Sequence, residues 1–247
     1  MRLDKFVCKS TDLSKTEAVE RIRNGEVIVN AEVVIVERTQ VHENNSVMFD
    51  GQRLLARPFR YLLLHKPVDT ICSNIDETYP SLFTGLGIDN TSELHVVGRL
   101  DADTTGLVLV TDDGRWSFDI IRPSMACKKV YRVGLSQTIN AVAAGRLEAG
   151  VQLQGEEDLT LPAKVEVINS KEVLLTIVEG KYHQVKRMFS AVGNRVISLH
   201  REKIGAVSLD VDLGQWRYLT VEEINSLSLR LNRSEVKQLM SEANPYN

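Results

Sequence analysis

Cysteine is scarce in this chain, and long apolar runs are missing altogether. The three cysteines among 247 residues, Cys8, Cys72 and Cys127, stand far apart with no C-x-x-C pair. That spacing argues against a disulfide framework and against a zinc site, and a reducing cytoplasm is the compartment that fits. "YLLL" and "LVLV" are the longest kind of apolar run, far short of the ~20 residues a membrane helix needs. The opening "MRLDKFVCKS" is charged throughout and lacks the apolar stretch of a signal peptide. The five histidines have no metal-ligand spacing, and no phosphate-binding loop, nucleophile elbow or H-E-x-x-H stands in the sequence. No metal and no cofactor is therefore expected.

Net charge is −3, which at first sight disfavours a nucleic-acid partner. Its distribution says otherwise. Residues 181–203, "KYHQVKRMFSAVGNRVISLHREK", carry six cations against Glu202, a local +5 that leaves −8 for the rest of the chain. Such a patch suits an anionic ligand, and equally suits a solvated helix face.

The hydrophobic pattern divides the chain in two. Near the start, Leu3, Phe6 and Val7 are spaced for a short helix. A second helix is bounded by a capping box, Ser14 with Glu17, and a stop at Asn24-Gly25, with Val19 and Ile22 expected to point inward. "EVIVNAEVVIV" alternates about Asn30-Ala31 like a hairpin. Residues 1–55 are thus expected to form a small separate unit and 56–60 a linker. Strands are expected at 61–64, 94–98, 107–111, 129–135, 163–168, 172–178 and 195–199, and helices at 115–121, 138–148, 183–192 and 220–229. Adjacent strands with interspersed helices predict an α+β domain over 61–230, built on a mainly antiparallel mixed sheet with flanking helices. Residues 231–247 read as a polar tail.

One stretch demands a chemical reading. "GRLDADTTGLVLVTDDG", residues 98–114, sets Asp101, Asp103, Thr105, Gly106 and Asp112 at places 1, 3, 5, 6 and 12 of a calcium loop. Its surroundings contradict that template: "ELHVV" and "GLVLVT" are strand-like where helices are needed, and Asp112 is too short for the usual bidentate glutamate. What remains is Asp101 between two strands, just after Arg99. A carboxylate there could be a nucleophile or base held ionised by a cation, or equally a turn or cap residue.

Four stretches, in order, bear a resemblance that covers roughly residues 1–230. "MRLDKF…SKTEAVERIRNGEVIVN" resembles the S4 RNA-binding domain. "GRLDADTTGLVLVTDDG", "KKVYRV" and "EGKYHQVKRMFSAVGNRV" resemble the successive blocks of the RsuA/RluB-type pseudouridine synthases. Within that family the chain is most similar to the branch acting on small-subunit ribosomal RNA, through "DTTGLVLVTDDGRWS", "EEDLTLPA" and "LHREKIG". Large-subunit relatives tend to carry Asn-Arg where this chain has Tyr182-His183.

The resemblance implies a cofactor-free, monomeric, cytoplasmic enzyme that isomerises uridine 516 of 16S rRNA, in free RNA or in a small-subunit assembly intermediate. By the same resemblance Asp101 is catalytic, Tyr131 stacks on the target base, Lys186 pairs with the aspartate and Arg99 supports the site. Phosphate contacts would come from Arg2, Lys5, Lys15, Arg21 and Arg23 of the S4-like unit and from Lys181, Arg187 and Arg201. A 23S rRNA enzyme of the same family is one alternative; a non-catalytic S4-type assembly factor is another, although binding alone needs neither Asp101, Tyr131 nor Lys186. Two positions depart from the family pattern. Ala31 replaces the glycine expected after Asn30, where a type I′ turn wants φ > 0. His65 stands where relatives often carry asparagine.

Overall fold

Two units, Met1–Pro58 and the part beginning at Phe59, make up the computed structural model, which describes residues 1–42 and 44–227. In the first unit, α1 (Leu3–Ser10) buries Leu3 and Val7, one helical turn apart. The second helix, α2 (Lys15–Arg23), starts with the expected capping box: Ser14 Oγ accepts from the Glu17 amide at 3.3 Å, and the Glu17 carboxylate accepts from the Ser14 amide at 2.8 Å. Its inward face is Ala18 and Ile22, not Val19, because an i, i+4 pair shares one helix stripe.

Against these helices lies a sheet of order β2-β1-β3-β4, formed by β1 (Val27–Val29), β2 (Glu32–Val33), β3 (Val47–Phe49) and β4 (Gln52–Arg53). Both its hairpins have paired positive φ angles at the turn: Asn30 at 51° and Ala31 at 70°, Asp50 at 49° and Gly51 at 72°. The first turn therefore forms with alanine in the left-handed region.

The second unit opens with β5 (Tyr61–Lys66), β6 (His95–Val97), β7 (Thr105–Thr111) and α3 (Gly114–Ile121). Then come β8 (Lys129–Leu135), α4 (Ala141–Ala149), β9 (Lys164–Asn169), β10 (Glu172–Ile177) and α5 (Gln184–Ala191). The last described elements are β11 (Val196–Ile204), β12 (Val207–Ser208), β13 (Trp216–Tyr218) and α6 (Val221–Ser226). The strands form one mixed sheet in the order β13-β5-β7-β11-β8-β10-β9, with β6 beside β7 and β12 beside β11. Among the described residues its pairings are antiparallel except for β7 with β11. This is the expected α+β, mostly antiparallel fold.

The central strands β5 and β7 are buried on both faces. Leu62, Leu64, Val108 and Val110 enter one apolar core with Tyr131, Val133, Met188 and Phe189; Tyr61, Leu63, Leu107 and Leu109 enter the other with Trp116 and Ile204. That explains their nearly continuous apolar sequences, and each such side chain contributes about 1.5–3 kcal/mol by leaving water. Most elements lie within a few residues of expectation. The strand expected at 195–199 runs on to Ile204, and the short β12 and β13 are additional. The later part of the helix expected over 220–229, and the polar tail, lie outside the described residues.

Candidate active site

The segment from Gly98 to Thr104 links β6 to β7, and buried cations fix its backbone. Lys66, at the end of β5, is fully buried and donates to the carbonyls of Pro67 (2.9 Å), Ala102 (3.1 Å) and Thr104 (2.9 Å). Burial pushes its ammonium pKa down, but three carbonyl dipoles around the nitrogen satisfy its donors. Arg201, in β11, donates from Nη2 to Gly98 O at 2.6 Å and from Nε to Leu107 O at 2.7 Å. Gly98 itself has φ 75°, and the Thr104 amide closes a turn onto the Asp101 carbonyl at 3.1 Å. The loop is pinned at both ends and in the middle.

The Asp101 side chain, about one-third exposed, faces α5. Lys186 Nζ lies 2.8 Å from its Oδ2, and His183 Nε2 lies 3.4 Å from its Oδ1. Lys186 reaches this position because Val185, Met188 and Phe189 occupy the buried stripe of α5 and leave its neighbour at the cleft. The same ammonium lies 2.6 Å from Asp103 Oδ1. Burial would lower the Lys186 pKa, but hydrogen bonds and charge from the two aspartates outweigh it and raise it. In return, the hydrogen bond from Lys186 holds the Asp103 carboxyl below its ordinary range.

Tyr131 sits on β8, in a strand whose burial alternates, and its ring is buried. The Arg201 guanidinium carbon stands 5.9 Å from the ring centroid, and Nη1 is 3.4 Å from the phenol oxygen. Asp101, Tyr131, Lys186, His183, Arg99 and Arg201 border one cavity of about 730 Å³. A nucleotide fits in such a volume.

The calcium template is not realised. Strands β6 and β7 flank the segment, Lys186 takes up Asp101 and Asp103, and Asp112 is buried against Arg60, whose amide and Nε both donate to it at 3.0 Å. Asp113 caps α3 through the amides of Arg115 and Trp116.

The cations expected at RNA diverge. Arg201 is a correction: at 1% exposure, with Nε and Nη2 given to the Leu107 and Gly98 carbonyls, it is an internal strut at the floor of the cavity, not an exposed phosphate contact. Lys181 and Arg187 are partly exposed but share Glu156, at 3.2 and 3.0 Å, so the +5 segment is partly neutralised by the fold. Arg99 is exposed at the cavity. In the first unit Arg2, Arg21 and Arg23 pair with Asp4, Glu26 and Glu37, whereas Lys5 and Lys15 are exposed. Sequence reasoning missed Asp103 as a second partner of Lys186, His183 beside Asp101, and buried Lys66. For Arg201 the signal was available: it shares strand parity with Leu199, which is also buried.

Residues 60–191 match the family model described as RNA pseudouridylate synthase. The chain belongs to that family. It is an RNA pseudouridine synthase, hence an isomerase, as the resemblance implied. Curated relatives agree along almost the full length. The ribosomal small subunit pseudouridine synthase A of Vibrio cholerae is 47% identical over 229 residues, covering 92% of this chain and 99% of the relative. The protein of that name from Escherichia coli is 46% identical over 230 residues, covering 92% and 100%. A solved structure, described as a crystal structure of pseudouridylate synthase, superposes with a TM-score of 0.68 at 41% identity, covering 92% of this chain and all of the other.

Proposed function

We propose that the protein converts one uridine of small-subunit ribosomal RNA, position 516 of the 16S molecule, to pseudouridine, with Asp101 as the reacting carboxylate. The observation that carries this reading is the Asp101–Lys186 contact at 2.8 Å, on the border of the cavity that Tyr131 also lines. The ammonium orients the carboxylate and sets a compensating positive charge beside it. The names of the full-length relatives support the small-subunit target.

The reaction balances within the base. The N1–C1′ bond breaks, the uracil turns, C5 bonds to C1′, and N1 gains the proton that C5 gives up. A uridine in folded RNA must leave its stack to be reached, and the Tyr131 ring offers a π-face to receive it. The first unit acts as an S4-like RNA-binding module, supplying affinity through phosphate contacts of which exposed Lys5 and Lys15 are the freest contributors.

The test is Asp101→Asn. The amide keeps the shape but is neither nucleophile nor base at neutral pH, so tritium release from C5-labelled uridine RNA falls to background while RNA binding survives. Turnover near the wild-type rate would refute the assignment. Carbodiimide mapping of 16S rRNA from a strain lacking the protein tests the target position.

A further inference from the structure

Tyr182 is anchored through its backbone and largely exposed at its side chain. Its carbonyl accepts from Arg187 Nη1 at 2.9 Å, and Arg187 is itself held by Glu156 and the Gln154 carbonyl. One residue earlier, the Lys181 amide donates to Gln184 Oε1 at 2.8 Å, and Gln184 is buried against Glu179. The peptide is therefore rigid. Yet the Tyr182 side chain leaves the residue 76% exposed, beside the cavity that holds Asp101.

One face of the ring is used. Tyr182 stacks on His183 with centroids 3.8 Å apart and planes inclined by 21°. With that face covered and the residue still three-quarters exposed, the opposite face is open to solvent. His183 in turn directs Nε2 toward Asp101, at 3.4 Å from Oδ1. His183 also holds φ 47°, a left-handed conformation that residues with a Cβ disfavour and that tends to occur at ligand clamps. Packing gives no account of an exposed aromatic ring, a strained neighbour and a fixed backbone placed together at the mouth of a nucleotide-sized cavity. A preorganised stacking surface for an unstacked base does.

We propose that Tyr182, backed by His183, is a second base platform that stacks a nucleotide adjacent to the target uridine and so helps select the RNA. This rests on the reading that a uridine enters the cavity beside Asp101. Base, Tyr182 and His183 would form a short column ending at the reacting carboxylate, coupling recognition of the neighbour to placement of the target.

The experiment uses the full chain and an RNA that the wild-type protein converts, conversion being scored separately by tritium release so that failure of the two readings is distinguishable. 2-Aminopurine replaces, in turn, the nucleotide on each side of the target uridine. Stacking on an aromatic ring changes affinity by roughly 5- to 150-fold per base. Tyr182→Ala is expected to raise KM by a factor in that range, with the loss falling on KM rather than kcat. Tyr182→Phe keeps the π-face and restores KM. At one flanking position, binding quenches 2-aminopurine emission with the wild-type and Phe proteins and not with the Ala protein. Unchanged KM and emission in Tyr182→Ala would overturn the proposal. So would a loss confined to kcat, which would leave the pair only orienting Asp101, or a Phe variant as impaired as Ala.

Discussion

Gly106 and Arg201 face each other across the parallel pairing of β7 with β11, so closely that a Cβ on Gly106 would stand 2.3 Å from the Arg201 carbonyl oxygen. Gly106 also has φ 113°, which L side chains rarely adopt. Gly106→Ala is expected to destabilise the catalytic unit by on the order of 3 kcal/mol, from overpacking and backbone strain together. Urea unfolding followed by tryptophan fluorescence checks this; a midpoint within error of wild type would mean the strands separate at little cost.

Arg201 is an internal strut, so its loss is read in stability and not in salt dependence. Arg201→Ala leaves the Gly98 and Leu107 carbonyls without their donor and should cost about 2–4 kcal/mol. The slope of log K for RNA against log salt should stay at the wild-type value. Lys5→Ala and Lys15→Ala should each flatten that slope by about one unit. A flatter slope in a folded Arg201 variant would return this residue to the RNA-facing group.

The Lys186–Asp103 contact gives a pH window with two edges. Asp103 has a folded pKa below its unfolded value near 3.8, so its contribution is present above that pH and is lost as pH falls through the folded value. Lys186 has a folded pKa above its unfolded value near 10.5, so its contribution is complete below that pH and is lost as pH rises through the folded value. Melting curves of wild type and Lys186→Gln should differ most between these limits and converge at the acid end. With Asp103 70% exposed at its side chain, solvent screening keeps the difference to a few degrees at most, roughly. A difference that persists undiminished in acid would assign the effect of Lys186 to packing.

Ala31 bears a φ of 70° in the first hairpin turn, a cost that glycine would not carry. Ala31→Gly is expected to stabilise the β1–β2 hairpin by up to about 1 kcal/mol. Hydrogen exchange at the Val34 amide, which donates to Val27 O, should slow by up to about fivefold. Faster exchange would show that glycine's extra freedom in the unfolded chain outweighs the relieved strain.

Much of this structure was legible because local rules and tertiary demands agree. "KVYRVGL" alternates in burial, with Tyr131, Val133 and Leu135 on one face, and the capping box starts α2 where Ser14 stands. The site was legible only through resemblance, since Asp101 and Lys186 are 85 positions apart and no local pattern joins them. Buried charge was legible at most through strand parity, as at Arg201, and at Lys66 not at all. Lys66 and Arg201 count as surface cations by composition, and only the carbonyls that surround them in the fold make burial tolerable. The short β13 escaped notice because three residues carry too little periodicity to separate a strand from a loop.

The parallel ladder between β7 and β11 spans only two residue pairs, His200 with Thr105 and Arg201 with Gly106. On one side of that seam lie β5, β6 and β7, drawn from residues 61–111, with β13 from 216–218 along the outer edge of β5; on the other lie β8 to β11, drawn from 129–204, with β12 beside β11. The seam joins segments about 95 positions apart, and the pairing of β13 with β5 spans more still, so the sheet closes only by bringing distant parts of the chain together at a cost in loop-closure entropy. Asp101 belongs to the first half, Tyr131 and Lys186 to the second. Neither half holds the chemistry alone: two residue pairs of parallel ladder hold together the two sides from which Asp101, Tyr131 and Lys186 come, so whatever loosens that seam takes the enzyme apart before it unfolds either side.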